Sequence, residues 1–327
     1  MNTRSDSSEQ IDKIKKTKEN RHPMIRWQKA NVAVLYALIP VVIVSIYFFG
    51  WRSLLLLCTV TVAGFLTEYL FLRAYYKEPV TSAVFVSSIL FTMTLPPTLP
   101  LWMAIVGIVF GIAFGKMAFG GFGRNVFNPA LTGRIFIYIS FGVPMTSAWV
   151  TNFEGFPGGF ISFASDAVTK ATPMTKIASG MEVPWTSMLF GNTPGCLGET
   201  SALLIMVGGI YLILKKYANY RIVISGFAGM LVLQTLLWLT GVKGAIDPLR
   251  ATLGGGFMLG IMFMATDPVS ASQTNAGRWI YGGIIGVLTS LIRVFAIWRE
   301  GIMFAILLGN MFSPIIDYYI KRAKIKE

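Results

Sequence analysis

The chain has 327 residues, of which 54% are apolar and 13% are charged, with a net charge of +13. Average soluble proteins carry about 25% charged residues, and here the apolar residues form long runs instead of helical or strand stripes. This composition excludes an ordinary globular enzyme, a disordered chain and a disulfide-rich secreted module. The sequence therefore predicts an all-α polytopic membrane protein.

The basic residues lie in the two tails and in short segments between apolar runs, where they set the orientation of a membrane protein. We therefore expect no nucleic-acid partner. Residues 1–29 contain eight basic and four acidic residues without an apolar core, which predicts a cytoplasmic tail and not a signal peptide. Residues 321–327 form a second basic tail. The distribution of Lys and Arg favours cytoplasmic positions for both termini.

Histidine and cysteine are too scarce for most metal cofactors. His22 is the only histidine, and Cys58 and Cys196 are the only cysteines. Haem held by two histidines and an iron–sulfur cluster held by four thiolates are both excluded for this chain alone. If the protein carries electrons, its cofactor must be organic.

Ten apolar segments are candidates for membrane passes, since about 20 apolar residues cross the hydrocarbon. The third, sixth and eighth are short. The ten are Ala30–Gly50, Ser53–Leu72, Val80–Leu95, Trp102–Phe119, Pro129–Val150, Thr200–Leu214, Ile222–Gly241, Ala251–Thr266, Trp279–Trp298 and Gly301–Ile320.

The two halves of the chain resemble each other. Phe91–Pro96 parallels Phe263–Pro268, and in both halves a short third segment ends at a proline. Five passes in each half predict two inverted repeats, over 30–150 and 199–320, joined by an external loop over 151–198. Paired short segments interrupted by proline indicate broken helices that build a central site; the alternative is short helices followed by ordinary loops.

Three polar segments lie between the passes. Gly120–Gly123 leads to Asn128, which precedes Pro129 and is expected to cap the fifth pass. The segment around Thr172 has the composition of a polar turn. A third, glycine-rich segment ends at Glu199, which we expect to cap the sixth pass. Each of these three is also compatible with an ordinary connection between membrane helices.

Ionisable residues within apolar runs are expensive and usually face a cavity or a partner. Asp267 lies at the inferred helix break and is the strongest candidate for an ion path, with Glu68 and Asp317 as further candidates. The last two lie near the ends of their passes, where structural pairing is an equal alternative. Arg134 and Arg293 are the other two charges identified inside the runs.

Five segments together resemble the RnfD/NqrB family, the large membrane subunits of the Rnf and the sodium-pumping NADH:quinone reductase complexes. They occur in order over most of the chain from residue 30 to residue 320. The matching segments are Leu95–Trp102, Phe119–Leu131, Leu197–Ala202, Phe263–Ser270 and Glu300–Leu308.

The resemblance implies a covalent flavin. The family attaches FMN through a phosphoester to the last Thr of the motif Asp-x-x-Ser/Thr-Gly/Ser-Ala-Thr. Asp166, Thr169, Ala171 and Thr172 match this motif, whereas Lys170 stands where the family prefers a small residue. Thr172 is thus the expected attachment site, on the external loop where the family's flavin transferase works.

The resemblance also implies a second, non-covalent flavin (riboflavin) near the cytoplasmic side in some members. Gly123, Asn128 and the break at Asp267 are its expected neighbours by position, and Gly198 belongs to a glycine-rich turn against which the FMN ring could pack.

The function implied is that of a flavin-bearing subunit of an ion-translocating oxidoreductase in the bacterial inner membrane. Electrons would arrive from an external flavin of a partner subunit and cross the bilayer together with Na⁺ or H⁺. Total length and the short N-terminal tail favour an Rnf-type ferredoxin:NAD oxidoreductase. Asp267–Ser272 followed by Thr274 and Asn275 resembles NqrB more, which is the alternative. A channel or secondary transporter without redox chemistry is the further alternative.

Overall fold

The computed structural model describes residues 24–147, 149–153, 155–164, 172–199, 201–296 and 300–326. The described part is almost wholly helical, with one short parallel pair of strands, β1 (Ile25–Arg26) and β2 (Val80–Thr81). The first half contains the helices α1 (Lys29–Phe49), α2 (Arg52–Phe71), α3 (Ala83–Met93), α4 (Leu101–Gly115), α5 (Pro129–Ser140) and α6 (Gly142–Ser147). A π-helical turn, Leu72–Tyr76, continues α2, and a 3₁₀ turn, Met117–Phe119, follows α4.

The connecting region contains a 3₁₀ turn (Gly158–Ile161) and two short helices, α7 (Pro173–Ala178) and α8 (Trp185–Phe190). The second half contains α9 (Ala202–Leu214), α10 (Tyr220–Leu239), α11 (Pro248–Leu253), α12 (Phe257–Leu259), α13 (Asn275–Phe295) and α14 (Ile302–Lys326). A π-helical turn, Gly260–Met264, follows α12 directly.

Within the described residues, six helical segments are long and apolar enough to cross a membrane, which confirms an all-α polytopic membrane protein. Two of the segments predicted to be short are also short here: α3 has 11 residues and α9 has 13. The six are Lys29–Phe49, Arg52–Tyr76, Leu101–Phe119, Tyr220–Leu239, Asn275–Phe295 and Ile302–Ile325.

The predicted fifth pass is wrong in its second half. The helix ends at Ser140, and Phe141 leaves the helical conformation before α6 begins. Pro144 explains the break, because it has no N–H to donate to the carbonyl of Ser140 and suits the first turn of a new helix. The predicted end of the last pass is also different, since α14 continues through the basic residues to Lys326.

Two arginines bind backbone carbonyls in and beside turns of the chain, one in each half. After α3, the Arg52 side chain donates hydrogen bonds of 3.0 Å to the carbonyls of Pro97, Thr98 and Leu99. Arg293 does the same for carbonyls at the end of α11. Carbonyl groups left without partners are costly inside a membrane, so each arginine stabilises the turn that it contacts.

The packing of the second half repeats that of the first. In the first half α4 packs against α2 and α5, and in the second half α13 packs against α10 and α14. Contacts between α1 and α9 and between α5 and α14 join the halves. This pattern is consistent with the predicted repeat, whereas the inverted orientation and the residue limits of the domains stay predictions.

Glycines allow the closest helix crossings in both halves. An added Cβ at Gly133 would overlap with the Gly107 carbonyl oxygen where α5 crosses α4. At the crossing of α10 and α13, an added Cβ at Gly286 would overlap with the Gly226 carbonyl oxygen. Small residues are typical of such crossings, because membrane helices associate through close packing.

We expect Gly286→Ala to destabilise the protein by about 1–3 kcal/mol, the usual effect of overpacking, and to lower the yield of monodisperse protein in detergent. Gly283→Ala is the matched control on the same helix, because nothing lies within 4 Å of its added Cβ. Thermal unfolding followed by tryptophan fluorescence compares the two variants. Equal unfolding temperatures would contradict a backbone contact at Gly286.

Candidate functional site

A cavity near the start of α1, which we call the Lys116 cavity, is lined mainly by apolar side chains and by several polar ones. Lys116 follows α4 and is only 2% exposed. Its ammonium donates a 2.6 Å hydrogen bond to the Glu68 carboxylate, itself 1% exposed, and a 2.9 Å bond to the Thr81 hydroxyl. The Thr81 hydroxyl in turn donates to Glu68 over 2.9 Å. The carboxylate of Glu68 therefore neutralises the buried ammonium of Lys116, as a buried charge requires.

Asp267 lines the same cavity at the break that follows the second π turn. Its carboxylate accepts hydrogen bonds from the Val269 N–H at 3.1 Å and from the Ser270 hydroxyl at 3.0 Å. Among the described residues, no Lys or Arg nitrogen lies within salt-bridge distance of this carboxylate. Asp267 is thus satisfied by local hydrogen bonds and still faces the cavity.

Asn128 and Asn310 connect the two halves beside this cavity. Asn128 caps α5 as predicted, accepting a 3.0 Å hydrogen bond from the Ala130 N–H. Its amide nitrogen also donates to the Met264 carbonyl at 3.3 Å. Asn310 on α14 accepts from the Asn128 N–H and donates to the Ser270 carbonyl at 3.2 Å. The cap of α5 is thereby joined to the second helix break.

Asp317 accepts hydrogen bonds from the segment that precedes α13. Its carboxylate accepts hydrogen bonds from the hydroxyls of Ser272 and Thr274, both at 2.6 Å, and from the Gln273 N–H at 2.7 Å. These bonds hold the segment before α13 against α14. Asp317 does not line the Lys116 cavity.

A second group, the Arg134 cluster, lies around a small cavity, which we call the Arg134 cavity. The Arg134 guanidinium on α5 forms an ion pair with Glu300, and its two terminal nitrogens lie 3.6 and 3.7 Å from the Cys196 sulfur. Donor atoms of Cys196, Glu199 and Glu300 all lie within 4.8 Å of one another. Three segments distant in sequence meet here around one guanidinium.

Backbone contacts place Glu199 in this cluster. The N–H groups of Leu197 and Gly198 donate to the carbonyls of Leu95 and Met93, over 3.0 and 2.6 Å. The segment before α9 thus satisfies carbonyls at the end of α3. Desolvation, followed by the charge of Glu300, raises the pKa of Glu199 to about 7.

The predicted capping role of Glu199 is wrong. The Ser201 hydroxyl caps α9 instead, accepting from the Leu204 N–H at 3.3 Å. Glu199 accepts from the Cys196 N–H at 3.4 Å, within its own turn. A hydroxyl directly before the helix reaches its first N–H groups more easily than a carboxylate two residues earlier.

Arg293 on α13 lies beside the cluster without a salt bridge in the described part of the chain. Its guanidinium donates to the carbonyls of Ala251, Gly254 and Gly255, the last two at 3.0 and 2.8 Å. Its Nε donates to the Glu300 carbonyl at 3.3 Å. Arg293 thus holds the end of α11 and brings a second positive charge close to Glu300.

Thr172 lines a third pocket, which we call the Thr172 pocket. The residue caps α7: its hydroxyl accepts from the Thr175 N–H at 3.3 Å and lies 3.0 Å from the Thr175 hydroxyl. Apolar, hydroxyl and acidic side chains line the pocket. Besides Thr172 the lining residues are Pro173, Met174, Met188, Thr193, Pro194, Glu199, Leu253, Gly254, Gly255 and Glu300.

The Thr172 pocket and the Lys116 cavity lie at opposite ends of α9. Glu199, just before the helix, lines the first, and Leu212, in its last turn, lines the second. A helix of 13 residues is about 20 Å long. Between the two spaces lies the Arg134 cavity, which shares Glu199, Gly255 and Glu300 with the Thr172 pocket.

The predicted site residues are therefore divided among several places. Asp267 and Asn128 meet at the Lys116 cavity, and Glu68 adjoins it through Lys116. Gly123 is exposed, and Gly198 packs against Met93. Asp166, Thr169 and Ala171, like Lys170, lie outside the described residues, as does His22. The cofactor-binding and ion-path roles of all these residues stay predictions.

Sequence reasoning missed the buried Lys116 as a site residue. Its signal is a charge inside the predicted fourth pass, the same signal that identified Arg134. In the sequence, Glu300 was noted only as the first residue of one of the five segments that resemble the RnfD/NqrB family. Its pairing with Arg134 depends on the contact between α5 and the start of α14, which the sequence does not show.

The described structure defines a polytopic, all-α membrane protein with several short helices and buried charges. The sequence model of the NQR2, RnfD, RnfE family matches residues 17–326. The chain belongs to this family, as the resemblance in its motifs indicated.

The chain is also similar to curated proteins that are named as the NqrB component of the Na(+)-translocating NADH-quinone reductase. The Yersinia pestis protein is 39% identical over 295 residues, covering 85% of this chain and 70% of the relative. The Klebsiella pneumoniae subsp. pneumoniae protein is 40% identical over 304 residues, with the same coverage. The Pseudomonas aeruginosa (strain LESB58) protein is 40% identical over 279 residues, covering 83% of this chain and 67% of the relative.

Proposed function

We propose that the protein is a flavin-bearing membrane subunit of an ion-translocating oxidoreductase complex, of the type represented by NqrB in the Na⁺-translocating NADH–quinone reductase. The names of the relatives support this alternative better than the Rnf-type function favoured by chain length and the short tail. Other subunits of such a complex, including one with an external flavin, and a flavin transferase for maturation are the proposed partners. The inner membrane of a bacterium and cytoplasmic termini remain part of the proposal.

The single observation that carries the redox function is the Thr172 hydroxyl in its pocket. The residue completes the flavin-attachment motif, and its side chain is partly exposed at the Thr172 pocket. Met174, Met188 and Leu253 offer apolar walls to a flat ring, and the Thr193 hydroxyl adds a polar contact. These residues fit FMN attached through its phosphate to Thr172. A bound flavin would supply one- and two-electron transfer.

A second flavin site, separated from this redox site by the length of α9, is also part of the proposal. Riboflavin is the proposed ligand of the Lys116 cavity, where Asn128 and Lys116 offer polar groups within a mainly apolar lining. Asp267 is the proposed cation-accepting residue there. An electron moving through a low-dielectric interior is stabilised when a cation follows it, which supports coupling to Na⁺ or H⁺ movement.

The experiment is flavin fluorescence on a denaturing gel after co-expression with a flavin transferase. We expect a fluorescent band for the wild type, none for Thr172→Ala, and an unchanged band for Thr175→Ala. Thr175 is the matched control because its hydroxyl lies 3.0 Å from that of Thr172. A dark wild-type band would refute the redox proposal and favour a channel or secondary transporter.

A further inference from the structure

Two carboxyl groups lie in the wall between the Thr172 pocket and the Arg134 cavity. Glu199, just before α9, and Glu300, just before α14, line both spaces together with Gly255. Gly255 adopts a φ of 61°, a backbone conformation that favours glycine, and an added Cβ there would overlap with the Arg293 guanidinium. A charge change in the Thr172 pocket would therefore act directly on these two groups.

The two carboxyl groups have different electrostatic partners. Glu300 forms the ion pair with Arg134 and is 17% exposed. For Glu199, no Lys or Arg nitrogen among the described residues lies within 4.0 Å. Its carboxyl accepts one long hydrogen bond, 3.4 Å from the Cys196 N–H. Glu300 thus has a direct positive partner, whereas Glu199 has none within this distance and is the group of the pair that we assign to proton uptake.

Without its own charge, the surroundings of Glu199 carry a net charge of +1. The positive Arg134 and Arg293 face one negative Glu300, and the Cys196 thiol is neutral because burial raises its pKa. The titratable or charged groups that interact with this cluster are Arg134, Arg293, Glu300, Cys196 and Tyr138. One ionised Glu199 makes the cluster neutral, and an added negative charge next to it shifts the balance toward protonation.

We propose that Glu199 is the proton acceptor that compensates an electron arriving in the Thr172 pocket. The inference rests on the proposed covalent flavin. It adds which residue takes up the proton when an electron arrives. In the balanced step, one electron from the complex's NADH-linked donor enters the pocket, and one proton from the water that reaches the pocket converts the Glu199 carboxylate to the carboxylic acid. Reoxidation returns the proton, and the ion pair between Glu300 and Arg134 takes no part in the step.

Redox-induced infrared difference spectroscopy tests this role on full-length protein co-expressed with a flavin transferase and shown to be fluorescent on the gel. Dithionite serves as the reductant, at a pH slightly above neutral. We expect reduction of the wild type to produce the carbonyl-stretch band of a protonated carboxyl group. This band should be lost in Glu199→Gln and retained in Glu182→Gln, an exposed control in the connecting region. In Glu199→Asp the band should persist at a shifted frequency.

The outcomes separate this inference from the flavin proposal. A preparation without a fluorescent band contradicts covalent flavin itself. A fluorescent wild type that gives no carboxyl band, or a Glu199→Gln variant that keeps the wild-type band, contradicts the role of Glu199 alone. If Glu199→Gln does not fold, the Glu199→Asp spectrum decides, since an unshifted band there would also exclude Glu199 as the acceptor.

Discussion

Replacing Glu68 by glutamine should destabilise the protein strongly. The variant leaves the Lys116 ammonium, 2% exposed, without its carboxylate partner. Removing one member of a buried ion pair costs about 3–5 kcal/mol, because the remaining charge is desolvated and uncompensated. We therefore expect a clearly lower unfolding temperature in detergent, measured by tryptophan fluorescence during heating.

Two further variants make this result specific. The double variant Glu68→Gln/Lys116→Met removes both charges, and we expect it to recover most of the lost stability. Glu78→Gln, an exposed glutamate just after α2, should unfold at the wild-type temperature. If Glu68→Gln were as stable as wild type while still abolishing ion transport, Glu68 would serve the ion path and not the stability of the fold.

The second large effect is expected at Arg134. Arg134→Gln removes the positive charge that pairs with Glu300, and both side chains are largely buried, at 4% and 17% exposure. The expected cost is again about 3–5 kcal/mol. Because the guanidinium also contacts the Cys196 sulfur, the variant should in addition increase the rate at which a thiol reagent labels Cys196.

Unfolding temperatures and labelling rates of four proteins check this prediction. The double variant Arg134→Gln/Glu300→Gln should recover stability, since no unpaired charge of this pair remains. Arg124→Gln is the control, because Arg124 is exposed. An Arg134→Gln protein with wild-type stability and wild-type labelling of Cys196 would mean that the ion pair does not hold this cluster together.

The positions of the long apolar helices were predictable from the sequence, with ends that differ by up to several residues. The first pass was expected over Ala30–Gly50 and is found at Lys29–Phe49. The length of an apolar run is a local property set by the thickness of the hydrocarbon. The end of α5 was predicted wrongly, because hydropathy continues through Pro144 although the hydrogen-bonding pattern of the helix cannot.

The candidate site was predictable only in part. Asn128 was recognised as a helix cap because both its residue type and the following proline are local signals. The pairing of Lys116 with Glu68 and of Arg134 with Glu300 depends on how distant helices cross. Charged side chains inside a membrane need such partners, but the sequence does not show which residues pair with each other. The shared position of Glu199 and Glu300 behind Thr172 is likewise visible only in the folded chain.

Intact-mass spectrometry of protein purified from its native host tests the central claim most directly. The account predicts that the chain is heavier than its sequence by one FMN less one water, and that fragmentation places the addition on the peptide containing Thr172. A mass equal to that of the unmodified sequence, with the Thr172 peptide recovered unmodified, would contradict it.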